Sequence, residues 1–72
     1  MKLGDLVRNK REREAWMFEG PERSSYAEIK LGMGEPCVVL SWRVVEDGMK
    51  MVELLTPRGT GWISERALES IS

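Results

Sequence analysis

Histidine is absent from the 72 residues, and cysteine occurs once, as Cys37. The first absence excludes Ser-His and Cys-His nucleophilic pairs and any histidine-ligated metal site. The second excludes an internal disulfide and fits a reducing compartment. No apolar run is longer than four residues, far short of a membrane span, and the N-terminal MKLGDLVRNK has no apolar signal core. Neither sign of charge is in excess: eleven Lys and Arg face twelve Asp and Glu, a formal net charge of -1, so no overall field draws the chain to nucleic acid or anionic lipid. The twelve acids are scattered among Lys and Arg as on a solvated surface, and a chain this short rarely builds the cleft that paired catalytic carboxylates need. The expectation is a cytoplasmic, non-enzymatic protein with no metal, no cofactor and no membrane segment.

What is present is a globular composition, 42% apolar and 32% charged. Residues 1–72 suit one domain, which at this size buries only about 60% of its unfolded surface and has a thin core. Lys2 to Val7 begins strand one, with a bend or bulge at Gly4-Asp5. Residues 8–33 support two patterns. In one, Glu14–Glu19 and Ser25–Leu31 are the arms of a long hairpin around Gly20-Pro21, with Trp16 and Phe18 on one side of the ribbon. In the other, Ser25-Tyr26-Ala27-Glu28 is a capping box opening one helical turn that Gly32 stops.

From Glu35 onward the alternation is clearer. Val38, Leu40, Trp42 and Val44 recur at period two, with Ser41 and Arg43 on the opposite face, and predict strand two. Glu46-Asp47-Gly48 predicts a hairpin turn, and Met49–Thr56 returns as strand three with Val52 and Leu54 inward. Pro57-Arg58-Gly59 turns again, Thr60–Ile63 is a short strand four, and Ala67–Ile71 is strand five after a break at Ser64-Glu65-Arg66. Five short strands without a long helix bury one face only by curling, so the predicted class is all-β, a small five-stranded barrel. Its expected core is Val7, Val38, Leu40, Val52, Leu54, Ile63 and Leu68, with Trp42 joining on the same stripe.

The segment Thr60-Gly61-Trp62-Ile63, followed by Leu68, resembles the end of an SH3 domain, where T-G-Y-I precedes a final strand. That resemblance implies an SH3-like barrel, one 3₁₀ turn over residues 64–66, and a long RT-type excursion at residues 8–33. It does not carry over a proline-rich ligand. Ser64 stands where the family has its ligand-face proline, Ala67 where it has a tyrosine, and the A-L-Y-D-Y motif and the Trp-Trp pair are missing, leaving Trp62 alone at a ligand-face aromatic position. Gly4-Asp5-Leu6-Val7-Arg8, the Gly32 to Gly34 G-x-G and the W-I…L-E-S-I ending also look like small SH3-like barrel proteins of bacteriophages, which implies a phage or prophage source. The related KOW and Tudor barrels open with a similar Gly-Asp.

Three tryptophans exceed what a thin core holds. Trp62, Trp16, Phe18 and Tyr26 are therefore the candidate contact residues for a protein partner, host or viral. The alternative is nucleic-acid binding through the one basic cluster, Arg8, Lys10, Arg11 and Arg13, with Trp16 to stack on a base; Glu12 and Glu14 partly cancel it. A structural virion component is a third reading, and the chain is expected to be a monomer or small homo-oligomer.

Overall fold

Turn chemistry sets the strands of the C-terminal half. Gly48 takes φ +81°, the left-handed position that follows a type I turn in a three-residue hairpin loop, while Val45 N–H donates to Met49 O at 3.0 Å and Gly48 N–H to Val45 O at 2.9 Å. This loop joins β4 (Pro36–Val44) to β5 (Lys50–Thr56). Pro57-Arg58 then turns the chain into β6 (Gly59–Ser64), with Thr56 Oγ1 donating to Gly59 O at 2.9 Å and accepting Arg58 N–H at 3.1 Å. Ser64 caps a 3₁₀ turn, Glu65–Ala67, by accepting Arg66 N–H on its hydroxyl, and β7 (Leu68–Ser70) follows. Upstream lie β1 (Leu6–Asn9), β2 (Ala15–Phe18) and β3 (Ala27–Leu31). The computed structural model describes residues 1–22 and 26–71, and among these there is no α-helix.

All seven strands belong to one antiparallel sheet, ordered β3-β2-β6-β5-β4-β1-β7 and curled into a half-barrel. The fold is all-β as expected, but it has seven strands and not five. The two additional strands come from residues 8–33, where the hairpin pattern is the one that forms: Ala15 pairs with Leu31, Trp16 with Lys30 and Met17 with Ile29. Ala27–Leu31 is strand, so the helical alternative is overturned there; its capping residue Ser25 lies outside the described residues. The hairpin joins the sheet because Ala15, Met17 and Leu31 supply core surface that a thin barrel lacks.

The core comprises Val7, Ala15, Met17, Leu31, Cys37, Val39, Val52, Leu54, Ile63, Ala67 and Leu68. Five of the seven expected core residues are in it. Val38 and Leu40 are not: Val38 is half-buried and Leu40 is 39% exposed, while Trp42 is 50% exposed and Val44 is exposed too. Cross-strand pairs project to one side of a sheet, and the pairs show what happened. Val39 lies opposite Leu54 in the core, Val38 lies opposite Leu55 on the outer face, and a register shift between Val39 and Ser41 then brings Trp42 opposite Val52. The unbroken run Cys37-Val38-Val39-Leu40 does not specify which face is inward, and a one-residue change of phase inverts every side chain. Beyond the bulge, β4 runs past the core, so Trp42 shares a face with Val52 yet remains half in solvent, with Lys50 Nζ 4.7 Å from its ring centroid.

A buried asparagine ties β1 to the far end of the sheet. Asn9 donates from Nδ2 to Leu31 O on β3 at 3.3 Å and to Arg13 O at 2.9 Å, and its Oδ1 accepts Arg11 N–H at 3.0 Å. Gly34 N–H reaches Asn9 O at 3.2 Å. Below this seam Arg58 donates to Lys30 O at 2.8 Å and pairs with Glu35, which also accepts Gly32 N–H at 2.9 Å. The Arg58 guanidinium and then the Gly32 N–H hold the Glu35 carboxyl below its ordinary value.

Candidate functional site

β2 approaches β6 at a single pair, Phe18 opposite Trp62. Gly61 makes that approach possible, because a Cβ there would lie 2.8 Å from Met17 Cε and 3.0 Å from Met17 Cβ. Upstream of Phe18, a cleft of about 490 Å³ lies between β2 and the end of β6; Arg11, Arg13, Ala15, Trp16, Ser64 and Ala67 are among its walls. A second cleft of about 240 Å³ lies between the β2–β3 hairpin and the β4–β5 turn, lined by Pro21, Glu22, Val45 and Asp47. Phe18, Met49 and Met51 line both clefts, so the two adjoin across these side chains as a two-part groove.

The groove is largely apolar, with Met51 buried and Phe18 and Met49 half-buried at its middle. Its two ends differ in charge. Arg11 and Arg13 stand beside Glu14 at the wider end, Glu22 and Asp47 at the narrower one, where Glu22 lies 3.9 Å from Arg43. Small residues at Ala15 and Ala67 keep the wide end open. Methionine suits such a surface, since its unbranched thioether repacks around different shapes.

Of the four aromatic residues expected to contact a partner, the structure brings Trp16 and Phe18 to the groove. Trp16 is half-exposed with Lys30 Nζ 5.2 Å from its ring centroid. Trp62 is half-buried opposite Phe18 and Glu53, and Tyr26 is 78% exposed ahead of β3, its carbonyl accepting Glu19 N–H; neither lines either cleft. The basic cluster is divided. Arg8 turns to the outer face, where its Nε lies 2.6 Å from Glu69 Oε1, and Lys10 is exposed with its backbone N–H on Ala67 O, whereas Arg11 and Arg13 line the groove. Sequence reasoning missed Met49 and Met51. Five methionines in 72 residues were the available signal.

Cys37 stands apart from the groove, in the core, where burial and then the charge of Glu35 push its thiol up to about 11. Among the described residues no group of three His, Cys, Asp or Glu is placed to hold a metal ion, and no helix is long and apolar enough to cross a membrane. No protein-family model, curated protein or solved structure matches the chain.

Proposed function

We propose that this chain is a non-enzymatic protein-interaction module with an SH3-like barrel, of phage or prophage origin, which holds a segment of a host or viral protein in the groove between its β2–β3 hairpin and its β4–β5 turn. The observation that carries this reading is the set of apolar side chains Phe18, Met49 and Met51 shared by two adjoining clefts, with half-exposed Trp16 lining the larger. A domain with a thin core gains no stability by leaving Trp16 half in water and Phe18 and Met49 part-exposed, so their position on a concave surface points to contact. The 3₁₀ turn between β6 and β7 and the hairpin excursion ahead of β4 support the SH3-like assignment. The test is affinity capture from the host with the wild type and with Met49→Glu and Trp16→Ala. A partner retained by the wild type and lost by both variants, with circular dichroism unchanged, is expected; identical captured proteins from all three would refute the reading.

Nucleic-acid binding has one observation in its favour, the placement of Arg11, Arg13 and Trp16 along one rim. It requires affinity for single-stranded DNA or RNA that falls steeply with salt and with Arg13→Ala. An absence of binding at low salt would remove it.

A further inference from the structure

Arg8, Arg43 and Arg58 lie within ion-pair distance of Glu69, Glu22 and Glu35 respectively. Arg11 and Arg13, both exposed on the wall of the wider cleft, have no such carboxylate among the described residues. Their backbone is nonetheless fixed. Buried Asn9 accepts Arg11 N–H at 3.0 Å and donates to Arg13 O at 2.9 Å, so the segment bearing both cations is anchored beside the cleft. Lys30, with its Nζ 5.2 Å from the Trp16 ring centroid, adds positive charge to the same rim. Along the groove the sign of charge then changes. Among the described residues the wider cleft is lined by these two arginines and one anion, Glu14, and the narrower by Glu22 and Asp47 with no cation. Arg43 offsets Glu22 from outside the cleft, at 3.9 Å.

We propose that the wider end of the groove is a subsite for an acidic side chain: the partner segment is extended and carries Asp or Glu on one side only of the apolar residue that covers Phe18, Met49 and Met51. This rests on the reading of the groove as a protein-binding site. Two guanidinium groups beside an apolar floor favour a carboxylate, which accepts paired N–H bonds from arginine. The acidic narrow end repels a second carboxylate and so sets which way the segment lies. The same change of sign disfavours a nucleic-acid strand, whose charge repeats at every phosphate and would run onto Glu22 and Asp47. An extended segment suits the wider cleft because the pairing of β2 with β6 stops at Phe18 and Trp62. Beyond that pair the facing strand edges part around the cleft, and an added strand can hydrogen-bond there.

The test uses peptides of about ten residues, blocked at both ends so that no terminal charge contributes; at about 3.3 Å per residue they exceed the 29 Å longest dimension of the molecule. A randomised library is selected on the wild-type chain, and the Kd of enriched peptides is read by fluorescence anisotropy. Enriched peptides carry Asp or Glu on one side of a large apolar residue, and adding an acid on the other side weakens binding at least about threefold. Arg13→Glu, which leaves the backbone bonds to Asn9 in place, weakens it at least about fivefold, and selection on that variant loses the acidic preference. Lys2→Glu makes the same charge change but lines neither cleft, and keeps the Kd within about twofold. Peptides with no acidic preference, lost with Met49→Glu but indifferent to Arg13→Glu, overturn the subsite and leave the groove reading standing. A selection that enriches nothing overturns both. Thymidine oligonucleotides that bind more tightly than any peptide, and are released by Arg13→Glu, assign the arginines to nucleic acid and also overturn the proposal.

Discussion

Replacing Asn9 tests the account of how the half-barrel is held. Its side chain is 2% exposed and makes three bonds, to Leu31 O, Arg13 O and Arg11 N–H. In Asn9→Ala the Leu31 carbonyl loses its side-chain donor in a buried position, which costs about 1 to 3 kcal/mol, and the two part-buried groups lose about 0.5 to 1.5 kcal/mol each. The expected loss is roughly 2 to 6 kcal/mol, a large fraction of the about 4 to 11 kcal/mol that 72 residues support at typical stability per residue. Melting followed by tryptophan fluorescence should fall by at least about 10 °C. Asn9→Asp sharpens the test. The carboxylate keeps the Arg11 bond but turns acceptors towards two carbonyls, so at neutral pH it costs more than alanine does. Those carbonyls and burial disfavour the charged form, which raises the folded-state pKa of the introduced acid above its unfolded value. The folded state therefore binds the proton more readily, and the Asp variant regains stability relative to wild type as pH falls. An Asn9→Ala protein within about 0.5 kcal/mol of wild type would refute the reasoning, as would an Asp variant whose deficit is independent of pH.

Other consequences follow from close contacts and charge. Gly61→Ala forces Met17 away from β6 and costs about 1 to 3 kcal/mol by urea denaturation, and an unchanged midpoint would show that β2 does not cross there. Glu35 has its folded pKa depressed, so its contribution is present above the unfolded value near about 4.3 and is lost as pH falls through the folded one. The stability gap between wild type and Glu35→Gln should accordingly be widest at neutral pH and close on acidification; a gap constant with pH would contradict the Arg58 and Gly32 contacts. Cys37, with its thiol pushed up to about 11 in the core, should resist a thiol reagent at neutral pH and react fully in urea, whereas rapid native labelling would place it at the surface.

Much of the C-terminal half was legible because alternation and turn chemistry agreed there. Val52, Leu54, Ile63 and Leu68 are core residues and Gly48 is in the left-handed turn position, whereas the 3₁₀ turn at the break before the last strand was expected only from the SH3 resemblance, over residues 64–66, and spans Glu65–Ala67. β4 was misread because four consecutive apolar residues carry no phase, and the bulge at Val39/Ser41 shifts whatever phase follows. In β2 the bulky aromatics Trp16 and Phe18 lie on one side while the smaller Ala15 and the pliable Met17 go inward, a choice fixed by the narrow space beside Gly61. Half of the aromatic candidate site was visible for that reason. Met49 and Met51 were not, since methionine in a strand reads as ordinary core until a neighbouring hairpin turns it into one wall of a groove.

β1 is hydrogen-bonded on both flanks, by β4 and by β7, and the Arg8–Glu69 contact spans 61 positions of sequence. On a ribosome that order matters. At roughly 5 to 20 residues per second, β1 waits several seconds for its second neighbour. The nascent sheet meanwhile carries an open edge and an uncovered Val7. Closure therefore belongs to the moment β7 leaves the exit tunnel, and any truncation before Leu68 should leave a chain that chaperones retain.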